Sequence, residues 1–126
     1  MLLGNGTQRR ITGPMPSFKQ GDVIKVPFSY TDRATRQSRP ALVVSVGGIE
    51  ANHHLLWVAM ITSAENRGWP GDVTISNLEE AELPAPSVIR TAKIATIEVS
   101  DATKLGKISA SLLKQVIGKI ARELGL

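Results

Sequence analysis

A chain of 126 residues, 42% hydrophobic and 21% charged, is the length of one domain, and surface scaling lets it bury about two-thirds of its unfolded surface. It contains no cysteine, which excludes a disulfide framework, zinc ribbons, iron–sulfur ligation and thiol catalysis. The net charge of +4 is uneven: residues 1–39 carry +5, residues 40–103 carry −5 and residues 104–126 carry +4.

Basic ends and a sequence pI near 9.8 favour a polyanionic partner, nucleic acid first, because lysine and arginine gain by displacing condensed counterions. No stretch approaches the length of a membrane span, and the opening MLLGNGTQRRITGPMPS is too polar for a signal core. The expected protein is soluble and cytoplasmic, away from membranes.

Residues 1–17 combine glycine, proline and Arg9-Arg10 without apolar periodicity and read as a flexible leader, with a single domain over 18–126. Val23, Ile24, Val26 and Phe28 alternate as a first strand after the Gly21-Asp22 turn, and a polar loop follows from Ser29 to Arg39. Pro40 opens a second strand, Ala41 to Val46, whose nearly continuous apolar run suits burial on both faces, and Gly47-Gly48 closes it. Leu55 to Thr62 is a third strand, with Trp57 in its core, and Asp72 to Ser76 a short fourth.

Asn77 caps a single helical turn that Pro84 and Pro86 end. Ser87 to Val99 returns to strand alternation, and Leu105 to Ile108 adds an edge strand. Ser109 caps the last element, where Leu112, Leu113, Val116, Ile117, Ile120 and Leu124 recur at helical spacing up to Gly125. Short strands followed by one amphipathic helix predict a mainly β fold: a small barrel or rolled antiparallel sheet with the helix over an open end.

The chemistry on offer is narrow. His53 and His54 are adjacent, lack a third histidine and have only Glu50 nearby, which argues against a metal site; catalytic use of one histidine stays open. A phosphate loop, a nucleophile elbow and a magnesium-binding carboxylate cluster are all missing, so no cofactor and no metal are expected. What remains is arginine and hydroxyl chemistry: Arg33, Arg36 and Arg39 in the first loop, Thr62-Ser63 at a strand end, and Arg90-Thr91 in another strand. A guanidinium holds two phosphate oxygens at once and stabilises the charge that builds on a five-coordinate phosphorus, and a following proline, as in Arg39-Pro40, limits its backbone freedom.

The segments GDVIKVPF (Gly21 to Phe28), RPALVVS (Arg39 to Ser45), VAMITS (Val58 to Ser63) and LPAPSVIRTAKIATI (Leu83 to Ile97) together resemble the MazF/PemK family of toxin endoribonucleases, over residues 18–124 in order and spacing. The resemblance implies an SH3-like barrel with appended helices and a homodimer. It also implies sequence-specific, metal-independent cleavage of single-stranded RNA, in partnership with an antitoxin whose disordered segment folds across the toxin.

By the same resemblance Arg39 and Thr62 are catalytic and Arg90 is a second catalytic arginine, while Asp32, Arg33, Arg36, Ser63, Arg67 and Lys93 bind substrate. Trp69 is the loop aromatic placed to stack a base. Where many relatives carry an acidic residue after the S-V-I segment, this chain has Ala92, and where PemK-type members have a first-loop histidine it offers Asp32 and Arg33; the general base is therefore unassigned. Two other functions compete: a non-enzymatic CcdB-like toxin that binds gyrase, and an RNA-binding module without catalysis.

Overall fold

Alternation of apolar residues on both faces makes the strands, and the computed structural model, which describes residues 17–28 and 37–126, assembles six of them into one antiparallel sheet. β1 (Asp22–Phe28), β2 (Gln37–Val43), β3 (Leu55–Ser63), β4 (Asp72–Thr74), β5 (Ser87–Glu98) and β6 (Thr103–Lys107) lie in the order β4-β5-β3-β2-β1-β6. The expected leader falls, apart from Ser17, outside the described residues.

Period-two alternation splits the core in two. Val23, Leu42, Ala59, Ile61 and Ile89 enter one apolar cluster, and Ile24, Ala41, Val43, Leu56, Val58 and Met60 enter the other, so each central strand feeds both faces. The doubly buried run around Ala41 to Val43 is therefore as its composition predicts. A helix, α3 (Ala110–Glu123), covers the first cluster; Val116 is fully buried and Leu112, Leu113 and Ile120 pack beside it. Each such apolar side chain contributes about 1.5–3 kcal/mol when fully buried. Ser109 caps α3 by accepting a hydrogen bond from the Leu112 amide at 3.1 Å.

The short helix α2 (Leu78–Ala81) is capped by Asn77, whose Oδ1 accepts from the Glu80 amide at 2.9 Å. It lies against β6, one edge of the sheet. Gly106 makes this contact possible: a Cβ there would run into the Glu80 carbonyl and come within 2.7 Å of the Ala81 carbonyl carbon.

Three expectations need correction. β2 begins at Gln37 and ends at Val43, so Gln37, Ser38 and Arg39 are strand, not loop, and the strand stops short of the expected Val46. Gly47-Gly48 does not simply close β2 but opens a helix, α1 (Gly47–His53), which has no buried residue and hence no apolar periodicity to betray it. It is tied down from a distance: the Glu50 carboxylate accepts from the Phe18 amide at 3.3 Å. Trp57 is 50% exposed. It shares a face with Thr96, its partner on β5, and with Ile94, which is 44% exposed.

Candidate active site

Pro40 has no amide hydrogen to give, and pairing between β2 and β3 starts only one residue later, at Ala41–Met60. Beyond that pair the strands continue as Arg39 and Ser38 on one side and Ile61 to Ser63 on the other. Arg39 and Thr62 lie just past the end of this ladder, each close in sequence to its last pair. An open cavity of about 340 Å³ lies here, lined by Arg39, Thr62, Ser63 and Asn66, with Pro84, Pro86 and Ser87 opposite. Arg39 is exposed and Thr62 partly exposed, so the cavity offers solvent a guanidinium and hydroxyl groups side by side. None of the described lining residues carries a carboxylate or an imidazole.

Thr62 is fixed by its neighbours. A 3-10 turn (Ala64–Asn66) follows β3, and Ser63 caps it by accepting from the Glu65 amide at 3.2 Å. The Ala64 amide donates to the Pro86 carbonyl at 2.9 Å, and Arg67 Nε donates to the Ala64 carbonyl at 3.0 Å. The turn brings Asn66 back over the strand end, where its Nδ2 donates to Thr62 Oγ1 at 3.1 Å.

Arg90 sits behind this turn and does not line the cavity. It is 8% exposed, pairs in register with Met60 on one side and Asp72 on the other, and has three contacts. Its Nε and Nη2 donate to Asp72 Oδ1 and Oδ2 at 3.2 and 3.0 Å; Nη2 also donates to the Asn66 carbonyl at 2.6 Å; and its guanidinium carbon lies 4.2 Å from the centre of the Trp69 ring. Asp72 also accepts from the Gly68 and Trp69 amides. Burial is the largest single influence on its carboxyl and works against ionisation. The hydrogen bonds from Arg90, Gly68 and Trp69, with the Arg90 charge, outweigh it and hold the group below its ordinary value of 3.8.

The sequence-derived candidates thus divide. Arg39, Thr62 and Ser63 meet at one cavity, Arg67 stands in the adjoining loop, and Arg90 reaches the cavity only through Asn66. Lys93 lines a separate cavity of about 540 Å³ with Ile94, Ile97 and Glu98. Asp32, Arg33 and Arg36 lie outside the described residues. His53 ends α1, and His54 follows it in the left-handed conformation at φ 59°; both are exposed and neither lines the cavity. Sequence reasoning missed Asn66, since an asparagine before Arg-Gly reads as a loop residue. Its one signal was its place four residues after Thr62.

The antiparallel sheet with its C-terminal helix is the fold of the small MazF-like toxins. The chain belongs to the PemK-like, MazF-like toxin family of type II toxin-antitoxin systems, which its residues 19–124 match. Among solved structures, a chain of the MazE-MazF complex of Deinococcus radiodurans is 25% identical with a TM-score of 0.70, the match covering 90% of this chain and 99% of that one. An endoribonuclease in complex with its cognate antitoxin from a mycobacterial species is 18% identical (TM-score 0.69; 87% and 97% covered). The Mycobacterium tuberculosis toxin MazF-mt6 is 22% identical (TM-score 0.65; 83% and 97% covered). A search of curated protein sequences found no match. Among the described residues no helix is long and apolar enough to cross a membrane.

Proposed function

We propose that this toxin is a sequence-specific endoribonuclease that cleaves single-stranded RNA without a metal ion. The observation that carries this reading is that Arg39, Thr62 and Ser63 line one open cavity. The ribose 2′-oxygen attacks the adjacent phosphorus as its proton leaves. The bond from phosphorus to the 5′-oxygen breaks, and that oxygen takes up a proton, leaving a cyclic phosphate and a 5′-hydroxyl end.

Arg39 would hold the non-bridging oxygens and the charge that grows on them, with Thr62 and Ser63 adding hydroxyl hydrogen bonds. Arg90 contributes by fixing the turn that carries Asn66. The described lining of the cavity holds no carboxylate or imidazole, so Asp32 of the first loop remains the candidate for the general base. Trp69, 46% exposed on its loop and backed by Arg90, lines a separate cavity with Lys119 and Arg122 and suits stacking of an unpaired base. Arg33, Arg36, Arg67 and Lys93 would add phosphate contacts along the strand.

The partner reading has two parts. MazE bound to MazF and the mycobacterial complex support a cognate antitoxin for this chain as well. The uncovered apolar stretch at Trp57 and Ile94 suits a second copy in a homodimer. The test of cleavage is direct: purified protein is incubated with long single-stranded RNA in excess chelator and the ends are mapped. Recurrent cut sites with 5′-hydroxyl ends support the reading. Intact RNA alongside growth arrest would favour the gyrase-binding alternative, and binding without cleavage the inert module.

A further inference from the structure

We propose that Asn66 is a positioning residue that turns the Thr62 hydroxyl into a hydrogen-bond donor aimed at the scissile phosphate. This rests on the ribonuclease reading above and goes beyond it in assigning a polarity to Thr62. A threonine hydroxyl has one hydrogen to give and lone pairs to receive with. Asn66 Nδ2 donates to Thr62 Oγ1 at 3.1 Å, so Oγ1 is the acceptor in that bond and its own hydrogen rotates away from Asn66. Thr62 lines the cavity with Arg39, and the anionic oxygens of a bound phosphodiester are the acceptors that such a hydrogen finds there. Thr62 thereby acts as a donor to the phosphate, with one of its two lone pairs taken up by Asn66.

The device is built from the interior outward. Asp72 and Arg90 form a buried two-point pair, and Arg90 Nη2 holds the Asn66 carbonyl at 2.6 Å. Asn66 is itself an exposed side chain, and nothing in its own exposure would fix it. Its backbone is fixed by the Arg90 contact, by the Ser63 cap and by the Ala64–Pro86 hydrogen bond of the same turn. Two contacts of one guanidinium, on Asp72 and on the Asn66 carbonyl, thus set the direction of a hydroxyl that Arg90 does not touch.

Asn66→Ala and the isosteric Asn66→Asp separate positioning from scaffolding. Both keep the main-chain carbonyl that Arg90 holds. Alanine leaves the Thr62 hydroxyl free to rotate; aspartate offers it an acceptor and draws its hydrogen off the phosphate. In steady-state cleavage of an RNA oligonucleotide, Asn66→Ala should lower kcat about tenfold with KM within about twofold, the loss expected of one hydrogen bond. Asn66→Asp should be slower still, with both melting temperatures near wild type.

Wild-type rates in both variants, or an Asn66→Asp enzyme as fast as or faster than Asn66→Ala, would overturn the proposal while leaving the ribonuclease reading intact. A wild-type protein that cuts no RNA would overturn both. Should a variant melt early, the side-chain amide resonance of Asn66 in the otherwise intact protein decides instead. Thr62→Val must shift it and Ser109→Ala, at the α3 cap, must not; an unmoved resonance overturns the assignment.

Discussion

Arg90 and Asp72 face each other across β5 and β4 as a two-point ion pair, Nε to Oδ1 at 3.2 Å and Nη2 to Oδ2 at 3.0 Å, with each side chain about one-tenth exposed. The register places them directly opposite, so the pair is a consequence of strand alignment. Removing one partner leaves the other charge buried and alone. Asp72→Ala should therefore cost about 3–5 kcal/mol, readable as a lower midpoint in urea unfolding.

The same pair sets an acid limit. Asp72 has a lower pKa folded than unfolded, so its contribution to stability is fully present above the ordinary carboxylate value and is lost as pH falls through the folded value. Melting temperatures taken from pH 7 down to pH 3 should fall for the wild type. Asp72→Asn, which has no proton to take up, should start lower and fall less; parallel curves would show that the pair does not govern this region.

Arg39 stands exposed at the rim, and its loss should leave the fold unchanged. Arg39→Ala should cut RNA cleavage on the order of 10²–10³-fold, the range for deleting one group that stabilises transition-state charge, with an unaltered melting temperature. Arg39→Lys should recover only part, since an ammonium cannot grip two oxygens in the fixed fork of a guanidinium.

Trp69 has Arg90 at 4.2 Å from its ring and is 46% exposed. In a Trp57→Phe background, its fluorescence should be quenched by a single-stranded oligonucleotide bearing a 2′-deoxy sugar at the cleavage position. Trp69→Ala should weaken binding of that oligonucleotide by about 1–3 kcal/mol, the worth of one base–aromatic stack. Unchanged affinity would remove Trp69 from the RNA path.

Gly106→Ala should destabilise the protein, because the added Cβ has the α2 backbone at Glu80 and Ala81 in its way, with no flexible side-chain end to move aside. Overpacking of this kind costs about 1–3 kcal/mol. Gly118→Ala, in open space on α3, is the matched control and should be neutral or stabilising.

Several features could be read from the chain alone. Alternation located β1 and β5 and an apolar run located β3, the Asn77 and Ser109 caps fixed where α2 and α3 begin, and the apolar stripe of α3 named its buried face. Local rules sufficed there because the side chain and the backbone group that it satisfies lie within four residues of each other. That Arg39 and Thr62 share one cavity was legible only as a resemblance, since 23 residues separate the two positions and no local rule links them.

The linear chain by itself determined the apolar faces, the helix starts and the supply of arginine and hydroxyl groups, all properties of composition and short-range spacing. Tertiary structure alone decided that α1 exists, that Trp57 is half exposed, and that Arg90 is held by Asp72 while Asn66 leans on Thr62. The physical reason is register. Which residues of β4, β5 and β3 stand side by side depends on how strands distant in sequence align, and one step of slippage would send each of these side chains to the opposite face.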